Sequence, residues 1–308
     1  MSLAEHGPPR RTQLLADGLL LLVTLIWGST FVLVKQSVAQ FPVYAFLSLR
    51  FSLGTLVLLV LFGQRLRYLT RAAIRAGVWI GLFLFGGYAL QTTGLLHTTA
   101  SKAGFITGLS VVFVPVLSAV MLRRIPGRLP LLGVMLATVG LAFLTLGHDL
   151  RPNSGDVIVL GCAICFALHI TAVSKYAPYT DALALTTLQV GVVAVLSAAA
   201  SLLTERLPGP VSMATFWAAA FTGVLATALA FAIQNSVQSF TTPTHTALIF
   251  AAEPVFAALF GFLLAGERLT GSALLGCALI LVGMLVAEVR PTAHFAESQP
   301  ERKGATLS

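Results

Sequence analysis

The stretch Leu248 to Leu264, LIFAAEPVFAALFGFLL, decides how this chain is read. It is apolar throughout except for Glu253-Pro254 near its middle. A carboxylate is costly in hydrocarbon, and a proline removes a backbone donor, so the pair marks either chemistry or a device of construction. Extended to 245–265, the run is long enough to cross a bilayer core of about 30 Å. Runs like it recur along all 308 residues, of which 57% are hydrophobic and 10% charged. Soluble domains carry about 25% charged residues, so the composition excludes a soluble globular protein. Strands of a membrane β-barrel would be about half this length and would alternate. The fold class expected is therefore all-α and polytopic.

Ten spans can be drawn, at about 17–37, 44–63, 76–96, 103–122, 129–147, 156–175, 182–203, 213–236, 245–265 and 271–289. The net charge of +8 reflects arginines gathered in the gaps between them. One face receives Arg10, Arg11, Arg65, Arg67, Arg71, Arg75, Arg123, Arg124, Arg128, Lys175, Arg290, Arg302 and Lys303, and the other Lys102, Arg151, Arg206 and Arg268. Basic loops stay in the cytoplasm, so both termini are expected there. Arg10-Arg11 followed by Leu14-Leu15 resembles a twin-arginine export signal, but the apolar run continues too far and no cleavage site follows. Residues 1–15 are expected to form a cytoplasmic arm and 291–308 a disordered cytoplasmic tail. Cys162 and Cys165 form a CxxC, which inside an apolar helix reads as small packing residues rather than a redox pair.

The second half of the chain can be laid on the first at an offset of 139 residues. Asp17 then meets Asp156, Trp27 meets Phe166, Arg50 meets Gln189 and Pro115 meets Pro254. With small gaps, Ala89-Leu90-Gln91 meets Ala232-Ile233-Gln234, and Gly133 and Gly140 meet Gly276 and Gly283. Each half holds five spans, and a direct repeat of an odd number must insert its second copy upside down. Inverted repeats of this kind build secondary transporters, with the substrate site near the midplane where the halves meet. The repeats are expected at 16–147 and 156–289.

Four motifs occur in order: IWGSTFVLVK (26–35), LRF (49–51), TTASKAGFITGLSVVFVP (98–115) and EPVFAALFGFLLAGERL (253–269). On these the chain resembles the drug/metabolite transporter superfamily, in its ten-helix members with two EamA-type repeats, over about residues 15–289. The resemblance implies a bundle around a central cavity that moves small organic molecules across the bacterial inner membrane. It is similar to bacterial exporters of amino acids, aromatic ones among them. RRIPGRL (123–129) departs from the pattern, which the second repeat keeps at 266–269.

Polar and aromatic residues inside the spans are the candidate site. Trp27 and Phe166 offer stacking and cation–π surfaces to a substrate or simply pack. Thr30 and His169 lie one turn further on the same faces, His169 being either proton-sensitive or a neutral core histidine. Gln91, Gln234 and Asn235 can read a carboxylate or an ammonium, or tie helices together, and Tyr88 adds a phenol. Lys35 and Arg50 either attract a substrate carboxylate or anchor helix ends. Pro115 and Pro254 are expected hinges. Glu253 is either a coupling carboxylate or a structural one; its place in the first repeat is taken by Val114, and the structural reading is favoured. Gly133, Gly140, Gly276 and Gly283 have the spacing of close helix contacts.

A secondary transporter explains these features without a catalytic residue, a metal or a cofactor. No P-loop, HExxH or paired-aspartate motif occurs, so an ATP-driven pump or an intramembrane enzyme lacks support. Expected partners are a small-molecule substrate and membrane lipids, without nucleic acid; the chain is expected as a monomer, with a dimer as alternative. Amino-acid export is the favoured activity; efflux of another metabolite or drug by proton antiport is the alternative.

Overall fold

The computed structural model describes residues 10–98, 100–123, 125–145, 153–206, 209–265 and 270–288. The expected tail and the glycine–glutamate–arginine–leucine motif at 266–269 lie outside them. Among the described residues every regular element is helical: α1 (Arg10–Val38), α2 (Val43–Phe62), α3 (Arg71–Gly94), α4 (Ala100–Gly108), α5 (Ser110–Leu122), α6 (Arg128–Thr145), α7 (Ser154–Tyr176), α8 (Ala182–Thr204), α9 (Met213–Gly223), α10 (Ala230–Val237), α11 (Pro243–Phe250), α12 (Glu253–Ala265) and α13 (Gly271–Glu288). Eight helical stretches are long and apolar enough to cross a membrane, while Arg128–Phe143 and Gly271–Ala287 are shorter apolar helices. Eight of the ten expected spans thus reach that length.

Local sequence explains where the helices begin. The side chains of Thr70, Asp181, Ser212 and Thr242 accept from backbone N–H groups of the first turns of α3, α8, α9 and α11. Asn153 and Asp156 form a reciprocal capping box at the start of α7. Pro42 precedes α2 and supplies no cap. Glu205, from the end of α8, serves instead: its two carboxylate oxygens accept from the Tyr44 and Ala45 N–H groups at 2.8 and 2.9 Å. At the other end of the same helix pair Arg65 meets Asp181 at 2.7 Å. Helices α2 and α8 therefore run antiparallel.

Helices α6 and α13 also pack antiparallel, and their glycines explain how closely. A methyl added at Gly133 would lie 2.5 Å from the Gly283 carbonyl oxygen, and one at Gly140 2.6 Å from that of Gly276. The small-residue reading of these four positions is the one the packing displays. Both antiparallel pairs join helices that hold the same place in the two halves. Across the halves, α3 also lies on α7, and α1 on α12.

The spans expected at 103–122 and 245–265, each with its expected proline hinge, are divided by a tight turn at Leu109 and by another at Ala251–Ala252. One expectation is corrected: the pairing of Pro115 with Pro254 fails. The caps Thr70 and Ser212 stand 142 residues apart, and the two turns, like the glycine pairs, about 143 apart. In that register Pro254 faces Val111, and Pro115 faces Ala258. The error is four residues, about one helical turn, so the apolar pattern cannot report it. Part of the shift has a visible cause, because Val224–Leu229, between α9 and α10, is a π-helical segment that has no counterpart in α3. A π-bulge inserts one residue into an α-helix.

Candidate functional site

A cavity of about 880 Å³ of atom-free space, part of it open to the outside, lies where the two halves meet. Helices α1, α2, α3, α4, α5, α7, α10, α11 and α12 supply its wall. It lies towards the end of the bundle where α1 and α3 finish and α4 begins, as Val34, Leu95 and Gly104 show. Away from that mouth the bundle is filled by buried polar pairs. Gln234 Nε2 donates to Gln238 Oε1 at 2.9 Å, and Gln238 Nε2 donates to the Ile170 carbonyl and to Ser174 Oγ, both at 2.7 Å.

Five aromatic rings form the body of the site. Trp27 lies edge-on to Phe250 at 5.0 Å between centroids and tilted against Phe231 at 5.4 Å. Tyr88 meets Phe166 edge-on at 5.3 Å. Phe166 can lie against α3 because Gly87 presents no side chain there, a methyl at that position colliding with the ring. Trp27 Nε1–H donates to the Ala226 carbonyl at 2.9 Å. Ala226 belongs to the π-helical segment, where the altered backbone register leaves carbonyls for other donors. The next residue, Thr227, accepts from Arg50 Nε at 3.0 Å.

Arg50 is 3% exposed, on the cavity wall in the first half of α2, rather than out at the headgroups. Its guanidinium lies 4.7 Å from the centroid of the Tyr88 ring and makes a long 3.4 Å contact with the phenol oxygen. Glu253 opens α12, also on the wall, and is only half-buried. Among the described residues its carboxylate has no hydrogen-bond partner, and no ion pair within 4.0 Å joins it to Arg50.

Of the thirteen residues singled out by sequence, Trp27, Thr30, Arg50, Tyr88, Gln91, Phe166, His169, Gln234, Glu253 and Pro254 come together on this wall. His169 is 2% exposed, with Nε2 2.9 Å from Gln189 Oε1. Gln91 Nε2 donates to Thr107 Oγ1 at 3.2 Å, and the Oε1 of Gln234 is buried with no partner among the described groups. Three residues stand apart from the wall. Asn235 ties α10 to α8 through Thr186 at 2.8 Å, Lys35 is exposed near the end of α1, and Pro115 is buried inside α5. Phe231, Phe250, Thr107 and Thr227 are wall or support residues that hydropathy conceals. Phe231 stands three residues before Gln234, so the helical period alone would have placed it on the same face.

A solved crystal structure 19% identical in sequence shares this fold, covering 91% of this chain and 97% of its own, with a TM-score of 0.75. An uncharacterized transporter of Archaeoglobus fulgidus is 34% identical over 286 residues, which is 93% of this chain and 90% of the relative. The uncharacterized transporter YoaV of Bacillus subtilis is 26% identical, over 86% of this chain and 93% of its own length. The pattern of the EamA-like transporter family matches twice, at residues 14–146 and 153–288, and each match contributes helices to the cavity wall. With the cavity at the seam of those two matches, this multi-pass membrane protein belongs to the EamA-like transporter family.

Proposed function

We propose that the protein exports small metabolites, foremost amino acids with aromatic or other apolar side chains, through the cavity between its halves. The observation that carries this reading is the composition of the wall: six aromatic rings, Phe31 among them, amides, and one group of each charge, Arg50 and Glu253. Such a wall suits a small molecule with an apolar body and a polar head. Alternating access is the mode that suits two interlocked halves with a site at their seam. The asymmetry of basic residues supports a bacterial inner-membrane location with both termini in the cytoplasm, which reporter fusions at Ser308 and in the 204–210 loop would test.

Counterflow into proteoliposomes, run against amino acids, nucleosides, sugars and cationic drugs, tests the substrate. Exchange of phenylalanine, tryptophan or leucine is expected. Exchange confined to the other classes would refute the reading.

A further inference from the structure

Arg50 and Glu253 share one cavity, and each is left with bonding capacity that the protein does not use. A guanidinium has five N–H donors in a planar fork. Of these, one is spent on Thr227 and a second makes only the long contact with Tyr88, so most of the fork is free towards the cavity. The Glu253 carboxylate accepts from no described group at all. An uncompensated charge in a membrane interior is costly, and these two do not neutralise each other by contact. The chemistry left open is one carboxylate for the arginine and one ammonium for the glutamate. The same cavity is walled by aromatic rings, an enclosure suited to an apolar side chain.

We propose that Arg50 and Glu253 form a two-point zwitterion site, the arginine fork taking the α-carboxylate of an amino acid and the Glu253 carboxylate its α-ammonium, with the side chain among Trp27, Phe166 and Phe231. Bidentate pairing suits an arginine that is already oriented by Thr227 and stacked over Tyr88. The ammonium, a point charge with three donors, suits a carboxylate whose two oxygens are both unoccupied. The site rests on the amino-acid reading of function and goes beyond it, because it requires both ends of the zwitterion rather than either alone.

Two measurements test it. On unaltered protein in detergent, thermal-shift titration compares phenylalanine with phenylalaninamide, N-acetylphenylalanine, phenethylamine and 3-phenylpropionate. Phenylalanine should bind roughly ten- to a hundredfold more tightly than each analogue, since each lacks one charge-assisted contact. Equal binding of any one of them overturns the two-point site. In proteoliposomes, Glu253→Gln should lose phenylalanine exchange by a similar factor while 3-phenylpropionate becomes an equal or better competitor, and Arg50→Gln should shift preference towards phenethylamine. If wild-type protein exchanges phenylalanine and Glu253→Gln keeps its preference for the free amine, the site is refuted and the amino-acid reading stands. If wild-type protein exchanges and binds no amino acid, the reading itself has failed. The analogue series needs no variant, so a misfolded mutant does not protect the proposal.

Discussion

Trp27 and Phe166 hold the same place in the two halves and are anchored differently. The indole N–H is satisfied by the Ala226 carbonyl, whereas the phenyl ring needs only the space above Gly87. Trp27→Phe removes one donor and leaves a carbonyl unpaired, a loss of about 1–3 kcal/mol. The expected outcome is a lower unfolding temperature in detergent and weaker substrate binding; an unchanged value of both would show that the indole bond carries nothing. Gly87→Val should displace Phe166 and raise the KM of exchange more than it lowers kcat, which initial-rate counterflow separates. Arg123 is the one non-glycine described residue with positive φ, 54°, and it closes α5 in the left-handed conformation. Replacement by Gly should stabilise the protein by about 1 kcal/mol, because only glycine adopts that region freely. At this scale the sequence was informative about identity and poor about partners. Aromatic and ionisable residues stand out in an apolar chain, so Trp27, Tyr88, Phe166, Arg50 and Glu253 are legible, whereas Phe31, Phe231 and Phe250 pass as ordinary apolar residues. Which carbonyl takes Trp27, and that Arg50 turns inward, depend on how α1, α2 and the π segment meet.

Helix starts show what pattern reading sees and misses. Asp181 is an obvious cap, preceding α8 and accepting from the Leu183 and Ala184 amides. Its partial burial opposes ionisation, but the Ala184 amide, the Arg65 guanidinium and the Leu183 amide outweigh that and hold its carboxyl below the usual carboxylate range. A lowered folded value means that the stabilisation is complete above the unfolded pKa and is lost as pH falls through the folded one. Wild-type protein should therefore lose thermal stability in that acid window more steeply than Asp181→Asn, whose shallower acid limb is the readout. Glu205 is the opposite case, since it caps a helix some 160 residues away in sequence. Glu205→Ala should destabilise by about 0.5–2 kcal/mol, and Glu205→Gln by less, because an amide oxygen still accepts. Where the helices break is hidden for a related reason. A turn inside an apolar run leaves the hydropathy unchanged, and the visible proline in the first half lies six residues beyond the turn at Leu109.

Taken whole, the molecule is two matched halves that cross along α2–α8 and α6–α13. Class and repeat were legible because length, apolarity and recurring motifs are properties of the string itself. The register of the second half was not, because a one-turn slip preserves the faces of every helix. Asp17 and Asp156, equivalent residues, each reach across to the entrance of the other half's broken span. Asp17 Oδ1 lies 3.1 Å from His245 Nε2, and Asp156 Oδ1 accepts from Thr98 at 2.6 Å. In an alternating cycle these two ends must part in turn. Joining Asp17→Cys to His245→Cys with a reducible bifunctional reagent should stop exchange, and reductant should restore it; full exchange in fully crosslinked protein would rule out movement there. A zwitterion moving without a proton carries no net charge, so a valinomycin-imposed potential should leave counterflow unchanged, and acceleration would reveal a coupled ion.

The extra residue of the π segment has a consequence for the energetics of such a cycle. If both halves were identical, each conformation would map onto the other by exchange of the halves, and the two would be equal in energy. The Ala226 carbonyl that takes the Trp27 indole exists in one half only. A bond of about 1 kcal/mol formed on one side of the cycle and not the other tilts the resting populations about fivefold. In such a cycle the insertion would break a degeneracy and give the empty carrier a preferred side on which to wait.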